Sequence, residues 1–119
     1  MATIQNITDL NEWQTLWDAL KTPDAAQLCV LKRSPTCSIS HAAEHAFDRY
    51  VAALPENPKL KIVKVDVISA RPVSQRIAAD TGIRHESPQV LLIAAGQKVL
   101  WSATHHDIDS AALKQHLVV

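Results

Sequence analysis

The feature that most constrains this chain is a repeated change in its hydrophobic period. Short apolar runs alternate with stretches whose apolar residues recur every three to four positions. The first pattern suits a buried strand, and the second suits a helix laid against it. Residues 3–7 alternate as a short strand. From there Leu10, Trp13, Leu16, Trp17 and Leu20 keep helical spacing, with Thr8 or Asp9 as N-cap, until Lys21-Thr22-Pro23-Asp24 ends the helix. The run 27–32 is apolar enough for a buried strand. Beyond Cys37, one helix face collects Ile39, Ala42, Ala43, Ala46, Phe47, Tyr50 and Leu54, and the other His41, Glu44, His45, Asp48 and Arg49. Pro55 and Pro58 close that helix before the β-branched run 61–67. Pro72 fits the first turn of a further helix that reaches Ala79, with Gly82 as its C-terminal cap. Runs 90–94 and 98–102 about Gly96 form a hairpin, and Asp109 caps a last helix stapled by Ile108 and Leu113.

Strand, helix, strand, helix, hairpin and helix imply a parallel pair of strands extended by antiparallel ones. This is an α/β chain in a thioredoxin-like three-layer arrangement, with a central mixed sheet of four to five strands flanked by helices. No repeat or linker interrupts residues 1–119, so one domain is expected. Apolar residues make up 47%, enough for a packed core rather than disorder. Twelve basic and twelve acidic residues cancel, which removes the electrostatic case for nucleic acid or an anionic membrane surface as partner. The start lacks the basic residues and apolar core of a signal peptide, and no apolar run approaches the about 20 residues that span a bilayer. A soluble, cytoplasmic protein is expected.

Two cysteines in such a chain do not read as a disulfide framework. Cys29 lies inside Leu28-Cys29-Val30-Leu31, where a thiol behaves as a small buried hydrophobe. The extended chain between Cys29 and Cys37 holds them too far apart to bridge. Cys37 differs: it follows the polar turn Ser34-Pro35-Thr36 and opens a helix. Unpaired backbone N–H groups and the helix dipole favour an anion at such a place, and the thiolate is the species that attacks disulfides. Lys32 and Arg33 add local positive charge, and His41 stands one turn beyond as a further tuning group. Three residues after Cys37, where dithiol oxidoreductases place a second cysteine, stands Ser40.

Ser87-Pro88 heads the strand expected to face Cys37 in this arrangement, the position at which such folds carry a cis proline. A cis bond there leaves main-chain groups free for a peptide or thiol ligand. His41-Ala42-Ala43-Glu44-His45 matches the H-x-x-E-H pattern of inverted zinc peptidases. That helix face is the solvent side, and 119 residues leave no room for the peptidase scaffold. His85, His105, His106 and His116 are scattered, so no metal site is expected. Trp13, Trp17 and Trp101 are read as core residues.

The segment Lys32-Arg33-Ser34-Pro35-Thr36-Cys37-Ser38-Ile39-Ser40 resembles the K-H-S-x-x-C-P-I-S segment of the monothiol bacilliredoxins. Val65-Asp66-Val67, Arg71-Pro72-Val73-Ser74, Ile77-Ala78, Arg84-His85-Glu86-Ser87-Pro88-Gln89-Val90, Trp101, and His105 with Asp107-Ile108 extend the likeness over most of the chain. The resemblance implies a thioredoxin-like redox protein that handles mixed disulfides with bacillithiol in bacteria. Cys37 matches the active cysteine and Ser87-Pro88 the cis-proline position. Ser38 stands where the family has proline, restoring an N–H and adding a hydroxyl beside the thiol. The reading that follows is a monothiol thiol–disulfide oxidoreductase with Cys37 as the catalytic residue. Thr36, Ser40, Ser87 and Pro88 are its substrate contacts. Its co-substrate is the low-molecular-weight thiol bacillithiol, its clients are S-thiolated proteins, and it binds no cofactor. The alternatives are a non-enzymatic adaptor or redox-sensing module thiolated at Cys37, and an iron–sulfur carrier.

Overall fold

Helix starts and stops in this chain follow its capping chemistry. In the computed structural model, which describes residues 2–117, β1 (Ile4–Asn6) leads into α1 (Leu10–Ala19). The side chain of Asp9 accepts from Glu12 N–H, and Glu12 reaches back to the N–H of Asp9, a reciprocal capping box. After β2 (Gln27–Arg33) comes α2 (Ser38–Ala52), whose N-cap residue is Cys37 and has no side-chain cap bond. β3 (Leu60–Asp66) precedes α3 (Arg71–Thr81), with Pro72 in its first turn. That helix ends on Gly82 at φ 73°, a left-handed conformation in which a side chain would be strained. β4 (Gln89–Ala94) and β5 (Lys98–Thr104) form the hairpin, and a short 3-10 turn leads to α4 (Ser110–His116). There Asp109 accepts from Ala112 N–H, while Ile108 and Leu113 are buried together.

The sheet order is β1-β3-β2-β4-β5, with β1, β3 and β2 parallel and β4 and β5 antiparallel. This is the expected mixed sheet, with five strands. Alternation along β2 divides the core. Leu28 and Val30 pack with Trp13, Trp17, Val73 and Ile77 from α1 and α3. Cys29 and Leu31 pack with Phe47, Val51 and Leu113 from α2 and α4. Trp13 stacks on Trp17 with ring centroids 5.6 Å apart and donates from Nε1 to Asp80. Trp101 is half-buried against His116 rather than deep in the core. No described helix is long and apolar enough to cross a membrane.

The inward face of α2 is rotated from the expected one. Ser40, Ala43, Phe47 and Val51 are buried, whereas Ala42 is exposed and Ile39 only half-buried. A serine occupies the inner line because its hydroxyl has a partner there, which hydropathy alone does not register.

Candidate active site

Both β2 and β3 deliver their C-terminal ends to one edge of the molecule. β4 runs antiparallel to β2, so its N-terminal end arrives there too, with Gln89 opposite Lys32. This geometry brings Cys37 and the 87–88 segment to the same end of the sheet. Ser87-Pro88 is cis, as expected. The Pro88 carbonyl accepts from His105 N–H at 3.1 Å. Ser87 Oγ is buried without a partner among the described residues.

The turn before Cys37 is tied from several directions. Ser34 N–H donates to Ser40 Oγ at 2.8 Å, and Ser34 Oγ lies 3.3 Å from Thr36 Oγ1. His41 Nε2 sits 2.9 Å from the Pro35 carbonyl; a carbonyl only accepts, so Nε2 carries the proton. Cys37 itself is partly exposed, at the mouth of α2. Of the candidate contacts, Thr36 is exposed at the turn, Ser87 and Pro88 are inward on the facing segment, and Ser40 is fully buried behind the turn. Cys29 is fully buried, its thiol pushed up to about 12 by burial, and both cysteines are free. A thiol so rarely ionised in neutral solution is a poor nucleophile.

Lys32 and Arg33 are not simply two charges beside the thiol. Arg33 Nε pairs with Glu44 at 2.7 Å, and its Nη1 lies 3.4 Å from Asp66. Lys64 joins Glu44 and Asp48, each at 2.7 Å. Burial pushes the Glu44 carboxyl up, but hydrogen bonds from Lys64 and Arg33 outweigh it and hold the carboxyl below its ordinary range. Lys32 turns to the opposite face and meets Ser74 and His85. Sequence reasoning passed over His85 and Ser74. The signal was the parity of β2: Leu28, Val30 and Lys32 fall on one face, so a lysine had to be buried at the strand end.

No cluster of three or more His, Cys, Asp or Glu residues able to hold a metal ion occurs among the described residues. A large cavity, about 480 Å³, lies far from this chemistry, between 24–27 and 57–59 at the other end of β2 and β3.

The fold is similar to that of solved thioredoxins. One from Nicotiana alata matches with TM-score 0.73 at 18% identity, over 98% of this chain and 90% of its own. Mitochondrial thioredoxin 3 from Saccharomyces cerevisiae matches with TM-score 0.63 at 19% identity, over 94% and 91%. A thioredoxin-fold protein described as an oxidoreductase matches with TM-score 0.75 at 25% identity, over 94% and 91%. A profile described as monothiol bacilliredoxin BrxC covers residues 5–113. With nearly the whole chain matched and the thioredoxin frame in place, the protein belongs to the monothiol bacilliredoxin family and is a thiol-redox protein.

Proposed function

We propose that this protein removes bacillithiol from S-thiolated client proteins by monothiol exchange at Cys37. The observation that carries the reading is the isolation of a partly exposed Cys37 at a helix mouth. Ser40 stands where a resolving thiol would be, and Cys29 is sealed in the core. The Cys37 thiolate attacks the bacillithiol sulfur of the mixed disulfide; that S–S bond breaks, the client leaves as a thiolate, and Cys37 holds bacillithiol in a new disulfide. A second bacillithiol thiolate then attacks the bound bacillithiol sulfur. It releases oxidised bacillithiol and returns Cys37 to the thiolate, so the electron pair comes from the small thiol. Family membership supports the thiol partner, and the unpartnered Ser87 Oγ beside cis-Pro88 supports ligand contact there. Thr36 flanks the thiol on the exposed turn, while Ser40 acts from within by holding Ser34. No bound cofactor is required, and the cytoplasm is where such clients and thiols meet.

Intact mass after incubation with oxidised bacillithiol, oxidised glutathione or coenzyme A disulfide tests the site and ranks the thiols. One adduct, largest with bacillithiol and absent from Cys37→Ala, is expected. In turnover on an S-bacillithiolated client, Cys37→Ala should release bacillithiol only at the background rate. Equal release by wild type and variant would sink the enzyme reading in favour of an adaptor.

A further inference from the structure

Lys32 is fully buried. Its ammonium donates to the Ser74 carbonyl at 3.0 Å and to His85 Nδ1 at 3.2 Å. None of the ion pairs among the described residues includes it. Burying a cation without a counter-charge is strongly unfavourable. Burial lowers its pKa to about 8, which still leaves it mostly charged in neutral solution. An ammonium only donates, so His85 Nδ1 is the acceptor and the neutral ring carries its proton on Nε2. Burial first, then the Lys32 charge and Arg71, lower the His85 pKa against an opposing pull from Glu86, so this neutral form prevails. Nε2 makes no hydrogen bond among the described residues.

A cavity of about 160 Å³ lies over this pair, lined by Val67, Ile68, Arg71, Ser74, Gln75 and His85. No acidic residue lines it. Asp66, just before its wall, is already engaged: its carboxylate accepts from the N–H groups of Ile68 and Ser69 and pairs with Arg33. Val67 N–H donates to the Arg33 carbonyl at 2.9 Å, fixing that wall to the strand end from which the Cys37 turn departs. His85 precedes Ser87-Pro88 by two residues. The cavity therefore sits at the thiol end of the sheet, on the α3 side.

We propose that this cavity is the subsite for a carboxylate of the small thiol co-substrate, held by Arg71 and His85 with Lys32 as the buried charge beneath. The inference rests on the thiol-exchange reading and adds to it the anionic end of the substrate. At about 160 Å³ the space is below the roughly 300 Å³ at which pockets begin to enclose a whole ligand. It takes a terminal acidic fragment while the reacting sulfur stays at Cys37.

The first arm of the test uses Cys37→Ala, which forms no disulfide at that position, titrated with sodium succinate at constant ionic strength and followed by NMR. Saturable shifts at the His85 ring and the Ile68 and Ser74 amides are expected, with affinity about tenfold weaker when Arg71→Gln is added. Non-saturating shifts, or equal affinity in the double variant, overturn the subsite. The second arm compares kcat/KM for one client carrying either a bacillithiol adduct, which bears carboxylates, or a neutral 2-mercaptoethanol adduct. Arg71→Gln should lower the ratio of the two by about tenfold, and an unchanged ratio overturns the subsite. Saturation by succinate with no turnover of either adduct by wild type sinks the exchange reading alone. Turnover without saturation sinks the subsite alone.

Discussion

Lys32 and Arg33 are consecutive residues of one strand, carry the same charge, and meet opposite circumstances. Strand alternation sends Arg33 to the α2 face, where Glu44, Asp48 and Asp66 balance it together with Lys64. Lys32 goes to the α3 face, where it finds a carbonyl and an imidazole but no carboxylate. One side of the thiol end is thus a closed network in which every charge has an opposite partner. The other is an open cluster with positive charge left over, beside a cavity. Internal pairing serves the frame that holds the Cys37 turn, while unpaired charge beside an opening serves a ligand.

The sharpest way to break this comparison is through the pH dependence of Lys32. Its pKa is about 8 in the folded protein against 10.5 for an ordinary lysine. Below about 8 both states carry the charge and the burial penalty is complete. Between about 8 and 10.5 the folded state has lost its proton while the unfolded state keeps it, so stability rises with pH. Lys32→Met removes the group, and His85, with its lowered pKa, is already neutral across this window. Urea denaturation should show the stability of wild type relative to Lys32→Met improving by roughly 3 kcal/mol from pH 7.5 to pH 10.5. A flat difference would mean that Lys32 is solvated or paired in solution, and the contrast with Arg33 would disappear.

Glu44 gives a slope of the same sign in a separate, acidic window, because its folded pKa is also lowered. It joins Arg33 and Lys64, so Glu44→Gln leaves two half-buried cations without their shared anion and should cost about 2 kcal/mol near pH 7. The folded carboxyl titrates below the ordinary 4.5. Its contribution is complete above about 4.5 and fades as pH falls through the lowered folded value. Denaturation of wild type and Glu44→Gln at pH 7 and pH 3 checks this. A penalty that persists undiminished in acid would show that packing, not charge, links α2 to β2 and β3.

Much of this was legible along the chain because it is local. Asp9, Asp109, Pro72 and Gly82 mark helix ends through bonds and dihedrals that span one turn, and Cys37 stands at a helix mouth for the same reason. The facing of α2 was not legible. Ser40 is polar by composition but inward by position, and only the Ser34 N–H that it accepts from explains its burial. His85 lies in a segment with no period, and its importance comes from Lys32, 53 residues away in sequence. The surroundings of a side chain that come from three separate elements are not written in any window of the sequence. The parity of β2 announced only that Lys32 would be buried, not what would meet it.

The smallest expected effect supplies the neutral control. Ser40 Oγ accepts the Ser34 N–H at 2.8 Å, and both residues are buried. Ser40→Ala leaves that N–H unsatisfied behind the Cys37 turn and should cost about 1 kcal/mol. A hydroxyl does not titrate between pH 3 and 10, so the loss should be the same at both ends of that range. Relative to Lys32→Met and to Glu44→Gln, measured in the same urea series, wild type should gain stability as pH rises. The gain comes in the window above about 8 for Lys32 and in the acidic window for Glu44. If the Ser40→Ala penalty instead follows pH as either charged variant does, the turn is coupled to one of the two clusters. The thiol end would then be a single electrostatic unit rather than a paired frame beside an open, unpaired cation.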